Sequence, residues 1–182
     1  MMTATPMPSA PDLPPVPPLV LPLPDLAATE RLGRALAAIL RPGDVVALHG
    51  DLGAGKTALA RAVIRALPSP SGGAEGAAEE EVPSPTFTLV QTYERDPAPV
   101  WHFDLYRIED PEETHELGLS EALDGGITLI EWPERLGGLL PAGALSLTLS
   151  YAKAGPDGDA EGREARLEGG GDWPQRLSEL NL

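Results

Sequence analysis

The run Gly50-Asp51-Leu52-Gly53-Ala54-Gly55-Lys56-Thr57 has the spelling G-x-x-x-x-G-K-[ST], a loop suited to holding phosphate. Glycines let the backbone fold into a concavity whose N–H groups converge on phosphate oxygens. Lys56 then supplies a point charge for the terminal phosphates, and the Thr57 hydroxyl a ligand for Mg2+. The chain has only two lysines, Lys56 and Lys153, so one of its rare ammonium groups lies where a phosphate needs it. At an average glycine usage of roughly 7%, a chain of this length matches the spelling by chance on the order of 1% of the time, so the flanks must decide.

The flanks have the required order. Val45-Val46-Ala47-Leu48 is a short aliphatic, partly β-branched run after the turn signal Pro42-Gly43-Asp44, and reads as a buried strand. Beyond the motif, Leu59, Val63, Ala66 and Leu67 fall on one helical face with Arg61 and Arg65 opposite. Strand, glycine loop and helix follow one another, and the helix start adds unpaired N–H groups and the positive end of its dipole. The candidate nucleotide contacts are therefore Asp51, Leu52, Gly53, Ala54, Gly55, Lys56, Thr57 and Ala58. A glycine-rich turn with an exposed lysine is the bland alternative.

A phosphate-bound Mg2+ takes oxygen ligands, so such a loop calls for an acidic partner. Two carboxylates stand at the ends of apolar strands: Asp104 in Val100-Trp101-His102-Phe103-Asp104, and Glu131 after Ile127-Thr128-Leu129-Ile130. Ligands of open α/β sheets gather beyond the carboxyl ends of strands, so both can point at the phosphates. Glu131, halted by Trp132-Pro133, is the candidate metal ligand; Asp104 is the candidate for holding metal-bound water or placing the attacking water. Either could instead be a surface acid paired with Arg107 or Arg135. Ser84-Pro85-Thr86-Phe87-Thr88 offers stiffened hydroxyls that could sense a γ-phosphate, or simply a turn entering a strand. His102, Tyr106 and the three tryptophans gain no chemical role from sequence alone.

The elements that must position these groups are legible in outline. Residues 1–24, rich in proline, read as a disordered or polyproline-like tail, and the domain as residues 25–182. Asp25 to Leu40 reads as a helix burying Leu32, Leu36, Ile39 and Leu40. Residues 68–83 read as a mobile acidic loop. Strands are expected over Thr86–Glu94 and Val100–Tyr106, forming a hairpin, and at Ile127–Ile130; a helix is expected over Pro111–Leu123. Leu145, Leu147 and Leu149 alternate with polar residues in a strand that Arg163–Leu167 can join, and Trp173–Leu180 reads as a closing helix.

Composition narrows the function. The chain has no cysteine, which excludes disulfides, thiolate metal sites and cysteine catalysis, and three scattered histidines argue against zinc. No apolar run reaches membrane-spanning length and no basic region precedes the first apolar residues, so a cytoplasmic protein is expected. The formal charge of −15 repels a polyanion, so any link to nucleic acid is expected to run through a partner.

Taken together, LHGDLGAGKTALAR (48–61), SPTFTLVQTYE (84–94), WHFDLYRIEDPEE (101–113), ELGLSEAL (116–123), ITLIEWPERL (127–136) and GREARL (162–167) resemble the TsaE (formerly YjeE) family. Its members are small bacterial P-loop ATPases of tRNA threonylcarbamoyladenosine synthesis. The resemblance covers nearly everything from residue 25 on. It implies that Lys56 and its loop hold ATP phosphates, that Thr57 and Glu131 bind Mg2+, and that Asp104 is important for hydrolysis. It also implies a switch-like loop at Ser84, Pro85 and Thr86, an adenine bordered by Leu26 and Thr29, and an approach of Arg163 to the nucleotide. The implied partners are TsaB-like and TsaD-like proteins, with tRNA reached through them. Ala58 departs from the pattern, standing where the family commonly has a second threonine.

The expected fold is a P-loop NTPase-like three-layer α/β domain, its mixed sheet largely parallel with an antiparallel hairpin late in the chain. The expected function is a weak, partner-dependent ATPase. A non-hydrolytic nucleotide-dependent binding module and a small-molecule kinase stay open as alternatives. Against the kinase stands the lack of an arginine-rich lid segment between the core strands.

Overall fold

The computed structural model describes residues 17–70, 81–152 and 162–182. Seven strands form one sheet in the order β1-β7-β6-β2-β5-β4-β3. They are β1 (Leu19–Leu23), β2 (Val45–His49), β3 (Val90–Tyr93), β4 (Val100–Asp104), β5 (Ile127–Glu131), β6 (Leu145–Tyr151) and β7 (Arg163–Glu168). The centre, β6-β2-β5-β4, is parallel. Antiparallel strands flank it: β3 beside β4, and β7 then β1 beside β6. β2 and β5 are buried strand residues almost throughout, as parallel strands covered on both faces must be.

Two helices pack on one face, α1 (Leu26–Ile39) and α2 (Lys56–Ala66). Asp25 caps α1 by accepting the Ala28 N–H at 2.7 Å. Leu32, Leu36, Leu59 and Val63 from the two helices meet Val46, Leu48, Leu129 and Leu147 from the sheet. The other face carries short helices α3 (Glu113–Glu116) and α4 (Leu119–Leu123) and a 3-10 segment, Pro133–Leu139, over Val45, Phe103 and Ile130. The three-layer, P-loop NTPase-like α/β fold expected from the sequence is the observed one.

Three expectations are corrected. The stretch read as a tail up to residue 24 ends in β1, which pairs with β7 through Leu19↔Leu167 and Leu23↔Arg163. Proline at 22 does not prevent this because β1 is an edge strand, where one flank needs no ladder donor. The rest of the proline-rich stretch, residues 1–16, lies outside the described residues, as do residues 71–80 of the loop read as mobile. The described end of that loop is fastened, since Val82 is buried and its carbonyl accepts Arg61 Nε at 2.7 Å. The strand expected from Thr86 begins only at Val90, because residues 85–88 turn and Leu89 takes a positive φ of 67°. The helix expected over Pro111–Leu123 is broken into α3 and α4 at Gly118, whose φ is 81°.

The closing helix α5 (Trp173–Ser178) is tied to the loop before β2 by a buried ion pair. Arg176 donates Nη1 to Asp44 Oδ1 at 3.0 Å and Nη2 to both Asp44 Oδ2 and the Ile39 carbonyl, while its guanidinium lies 3.9 Å from the Trp173 ring centroid. Removing one partner of a buried pair leaves the other charge uncompensated. Arg176→Ala is therefore expected to cost about 3–5 kcal/mol of stability, read as a lowered urea midpoint at unchanged slope.

Candidate nucleotide-binding and metal-binding site

β2 delivers the chain into the glycine loop, and the loop is shaped by its neighbours. Gly50 has φ 136°, and a Cβ there would lie 2.4 Å from the Leu149 carbonyl oxygen on β6, so only glycine fits. Gly55, at φ 108°, turns the chain into the first residue of α2. Lys56 thus begins the helix, and Thr57 sits in its first turn, where N–H groups have no helical partner.

Lys56 is 4% exposed. Its Nζ donates to the carbonyls of Gly50 and Asp51, the latter at 2.9 Å, and lies 3.9 Å from the Trp132 ring centroid. Burial holds its pKa below the ordinary lysine value, while the charges of Glu131, Glu134, Asp104 and Asp51 pull it back up.

The two strand-end carboxylates are brought together. Asp104 on β4 and Glu131 on β5 are register partners on adjacent strands, 5% and 2% exposed. Each is held by hydroxyl or N–H donors. Thr57 Oγ1 donates to Glu131 Oε2 at 2.9 Å, and His102 Nε2 lies 2.9 Å from Oε1. Thr86 Oγ1 donates to Asp104 Oδ2 at 2.8 Å and is itself 2.7 Å from Ser84 Oγ, while the Tyr106 N–H donates to Oδ1. Neither carboxylate is paired with the arginines that sequence offered as alternatives. Arg107 donates to the Phe87 carbonyl and Arg135 to that of Ile108.

These groups face a cleft of about 230 Å3 lined by Gly53, Gly55, Lys56, Thr57, Ala58, Thr86, Asp104, Tyr106, Glu131 and Trp132, with Leu52 at its rim. A larger cavity, about 420 Å3, lies between α1 and α2. It holds neither the paired carboxylates nor the hydroxyls, so the smaller cleft is the chemical one. The two share Ala58, and Leu26 lines the larger. Thr29 lines neither: it is 7% exposed, with its hydroxyl turned to the Asp25 carbonyl. Arg163 opens β7 and lies 4.4 Å from the Tyr151 ring centroid, and the Tyr151 hydroxyl lies 3.3 Å from where a Cβ on Gly53 would be. Tyr151 thus stands between Arg163 and the loop.

The donor set suits a hard divalent cation. Among the described residues no group of three or more His, Cys, Asp or Glu side chains converges. Thr57 and Glu131 offer two oxygens, and Mg2+ usually takes one or two protein oxygens with phosphate and water completing its octahedron. Two buried acids side by side also create a place where added positive charge is favourable.

Sequence reasoning passed over His102 and Trp132. His102 stands two residues before Asp104 and so shares its face of β4, a period-2 signal that was available. Trp132 sits in the left-handed region at φ 60°, which spelling does not reveal. It lines the cleft against Lys56 and lies 4.9 Å from the Tyr106 ring centroid.

A buried parallel strand, a glycine loop that caps a helix, and a strand-end glutamate bonded to the loop threonine together define a P-loop NTPase-like domain. The family model described as "Threonylcarbamoyl adenosine biosynthesis protein TsaE" matches residues 23–159. The chain is 42% identical over 121 residues to the tRNA threonylcarbamoyladenosine biosynthesis protein TsaE of Rickettsia bellii, covering 66% of this chain and 78% of that protein. It is 38% identical over 126 residues to the protein of that name from Bacillus subtilis, covering 68% and 72%. The crystal structure of Bacillus subtilis YdiB superposes with a TM-score of 0.67 at 28% identity, covering 90% of this chain and 93% of that one. This chain belongs to the TsaE family, and its role lies in tRNA threonylcarbamoyladenosine biosynthesis. Among the described residues no helix is long and apolar enough to cross a membrane.

Proposed function

We propose that the chain binds ATP with Mg2+ and hydrolyses it slowly, and that turnover drives or resets a TsaB–TsaD-like complex without this chain transferring the threonylcarbamoyl group. The observation that carries the reading is the Thr57–Glu131 hydrogen bond beside Lys56, with Asp104 on the neighbouring strand. The loop and Lys56 would cradle the β- and γ-phosphates, which can replace the Gly50 and Asp51 carbonyls as acceptors for Nζ. Thr57 and Glu131 would hold Mg2+, which supplies charge neutralisation on the phosphate oxygens. Asp104, held by Thr86 and the Tyr106 N–H, would accept a hydrogen bond from the attacking water.

Among the described residues, Lys56 is the only cation lining the cleft. Among the described residues transition-state charge would then be poorly compensated, which is the physical reason for expecting slow turnover until a partner docks. With a net charge of −15, that partner is expected to carry the tRNA contacts. A cytoplasmic location is part of the same reading.

The test is a pull-down from the native cytoplasm with and without ATP, followed by phosphate release with the recovered proteins and tRNA. A TsaB–TsaD-like pair that raises phosphate release supports the proposal. The same pair with no phosphate accumulating would make the chain a non-hydrolytic binding module. Thr86→Val removes a hydrogen bond to a charged group, worth about 1.5–3 kcal/mol. It is expected to lower turnover by about tenfold or more while leaving ATP affinity in EDTA unchanged, checked by steady-state phosphate release and calorimetry.

A further inference from the structure

We infer that His102 is a positioning residue for the metal site: it fixes the Glu131 carboxylate so that the other oxygen faces Thr57 and the cation. The inference rests on the metal-site reading proposed above and extends it to a residue that does not line the cleft.

His102 is fully buried in the middle of β4. Its register partner on β5 is Leu129, yet its Nε2 reaches forward to Oε1 of Glu131, two residues on, at 2.9 Å. Its Nδ1 has no hydrogen-bond partner among the described residues. A carboxylate only accepts hydrogen bonds, so in this pair the imidazole donates from its Nε2–H to Glu131. The ring's polar contact is thus spent wholly on one oxygen of Glu131.

The ordinary account of such a residue is a core histidine with a satisfied hydrogen bond. Two observations go beyond it. An apolar side chain would fill the same core volume without leaving Nδ1 buried and unpartnered, which costs free energy. Moreover, the two oxygens of Glu131 are held from opposite sides, Oε1 from β4 by His102 and Oε2 from α2 by Thr57. With only one holder the carboxylate could turn about its terminal torsion, which is broad and soft. With two, its plane is fixed. A carboxylate oxygen has two acceptor positions, so each can take a hydrogen bond and keep a lone pair for a cation.

The same strand therefore serves both acids. Asp104, two residues along β4, faces the cleft directly, while His102 acts through its neighbour.

The test compares His102→Ala, His102→Gln and His102→Asn in the full chain, measuring ATP affinity with EDTA and the Mg2+ concentration that half-saturates the ATP complex. Glutamine places an N–H near the Nε2 position; asparagine falls short of it. Outer-shell partners of metal sites typically change metal affinity by about 10–100-fold. His102→Ala and His102→Asn are expected to raise the half-saturating Mg2+ by about tenfold, with metal-free ATP affinity within about twofold of wild type and His102→Gln restored to near wild type. Equal Mg2+ dependence in all three variants, or equal impairment of His102→Gln and His102→Asn, overturns the inference. So does a matching loss of metal-free ATP affinity, which would mark a purely structural residue. If His102→Ala does not fold, the glutamine–asparagine contrast decides alone. A wild-type chain whose ATP affinity does not respond to Mg2+ overturns the metal-site reading itself, and this inference with it.

Discussion

Lys56→Ala is expected to lower ATP affinity by roughly 10–100-fold and turnover by a further 10²–10³-fold, with the fold intact. Among the described residues, the lysine is the only cation lining a cleft that already holds two buried carboxylates. Without it, the triphosphate meets Asp104 and Glu131 with no compensating charge, and Mg2+ alone must offset the repulsion. Lys56→Arg is not expected to rescue. Its planar fork is larger than an ammonium, and the space beside Nζ is closed by the Gly50 and Asp51 carbonyls and the Trp132 ring. Calorimetry of ATP binding, phosphate release with partners and circular dichroism separate the three quantities. Wild-type turnover in a folded Lys56→Ala chain would remove the phosphate-loop assignment.

Glu131→Gln is expected to behave differently, and the difference is diagnostic. The amide keeps the shape of the carboxylate but loses its charge, so on the proposed reading Mg2+ would lose its anionic protein ligand. Turnover is expected to fall at least about 10²-fold. ATP affinity in EDTA is expected to stay level or rise, because a negative charge facing the phosphates has gone. The gain in affinity that Mg2+ is expected to give the wild type should vanish. A metal titration of ATP binding checks the pair of results, and a preserved Mg2+ response would remove Glu131 from the metal site.

Much of this site was written locally. A phosphate loop needs its glycines, lysine and threonine within eight residues, and strand-end acids announce themselves where an apolar run stops, as at Ile130-Glu131. What stayed hidden depends on distant partners. β1 exists because β7 offers it a ladder, which no reading of Leu19–Leu23 with its proline could supply. The turn at 85–88 is pinned by Thr86 reaching Asp104 across the hairpin, a contact that outweighs the strand preference of Thr86 and Phe87. Gly118 breaks the helix with Trp101 packed 3.1 Å from the site of a missing Cβ. Thr29, which the family resemblance set beside the adenine, faces inward because α1 packs that side against the core. His102 could have been found by counting in twos from Asp104, but its partner is on another strand.

The pairing of β1 with β7 has a practical side. β7 is hydrogen-bonded to β6, and β6 carries the Leu149 carbonyl that packs against Gly50 in the phosphate loop. Trimming the chain at Pro24, as its composition invites, would strip the ladder from β7 and leave Arg163–Glu168 as a raw sheet margin. Such margins recruit strands from other molecules. A shortened chain would thus be prone to self-association along the very hairpin that braces the loop, and its oligomeric state would report the trimming and not the protein.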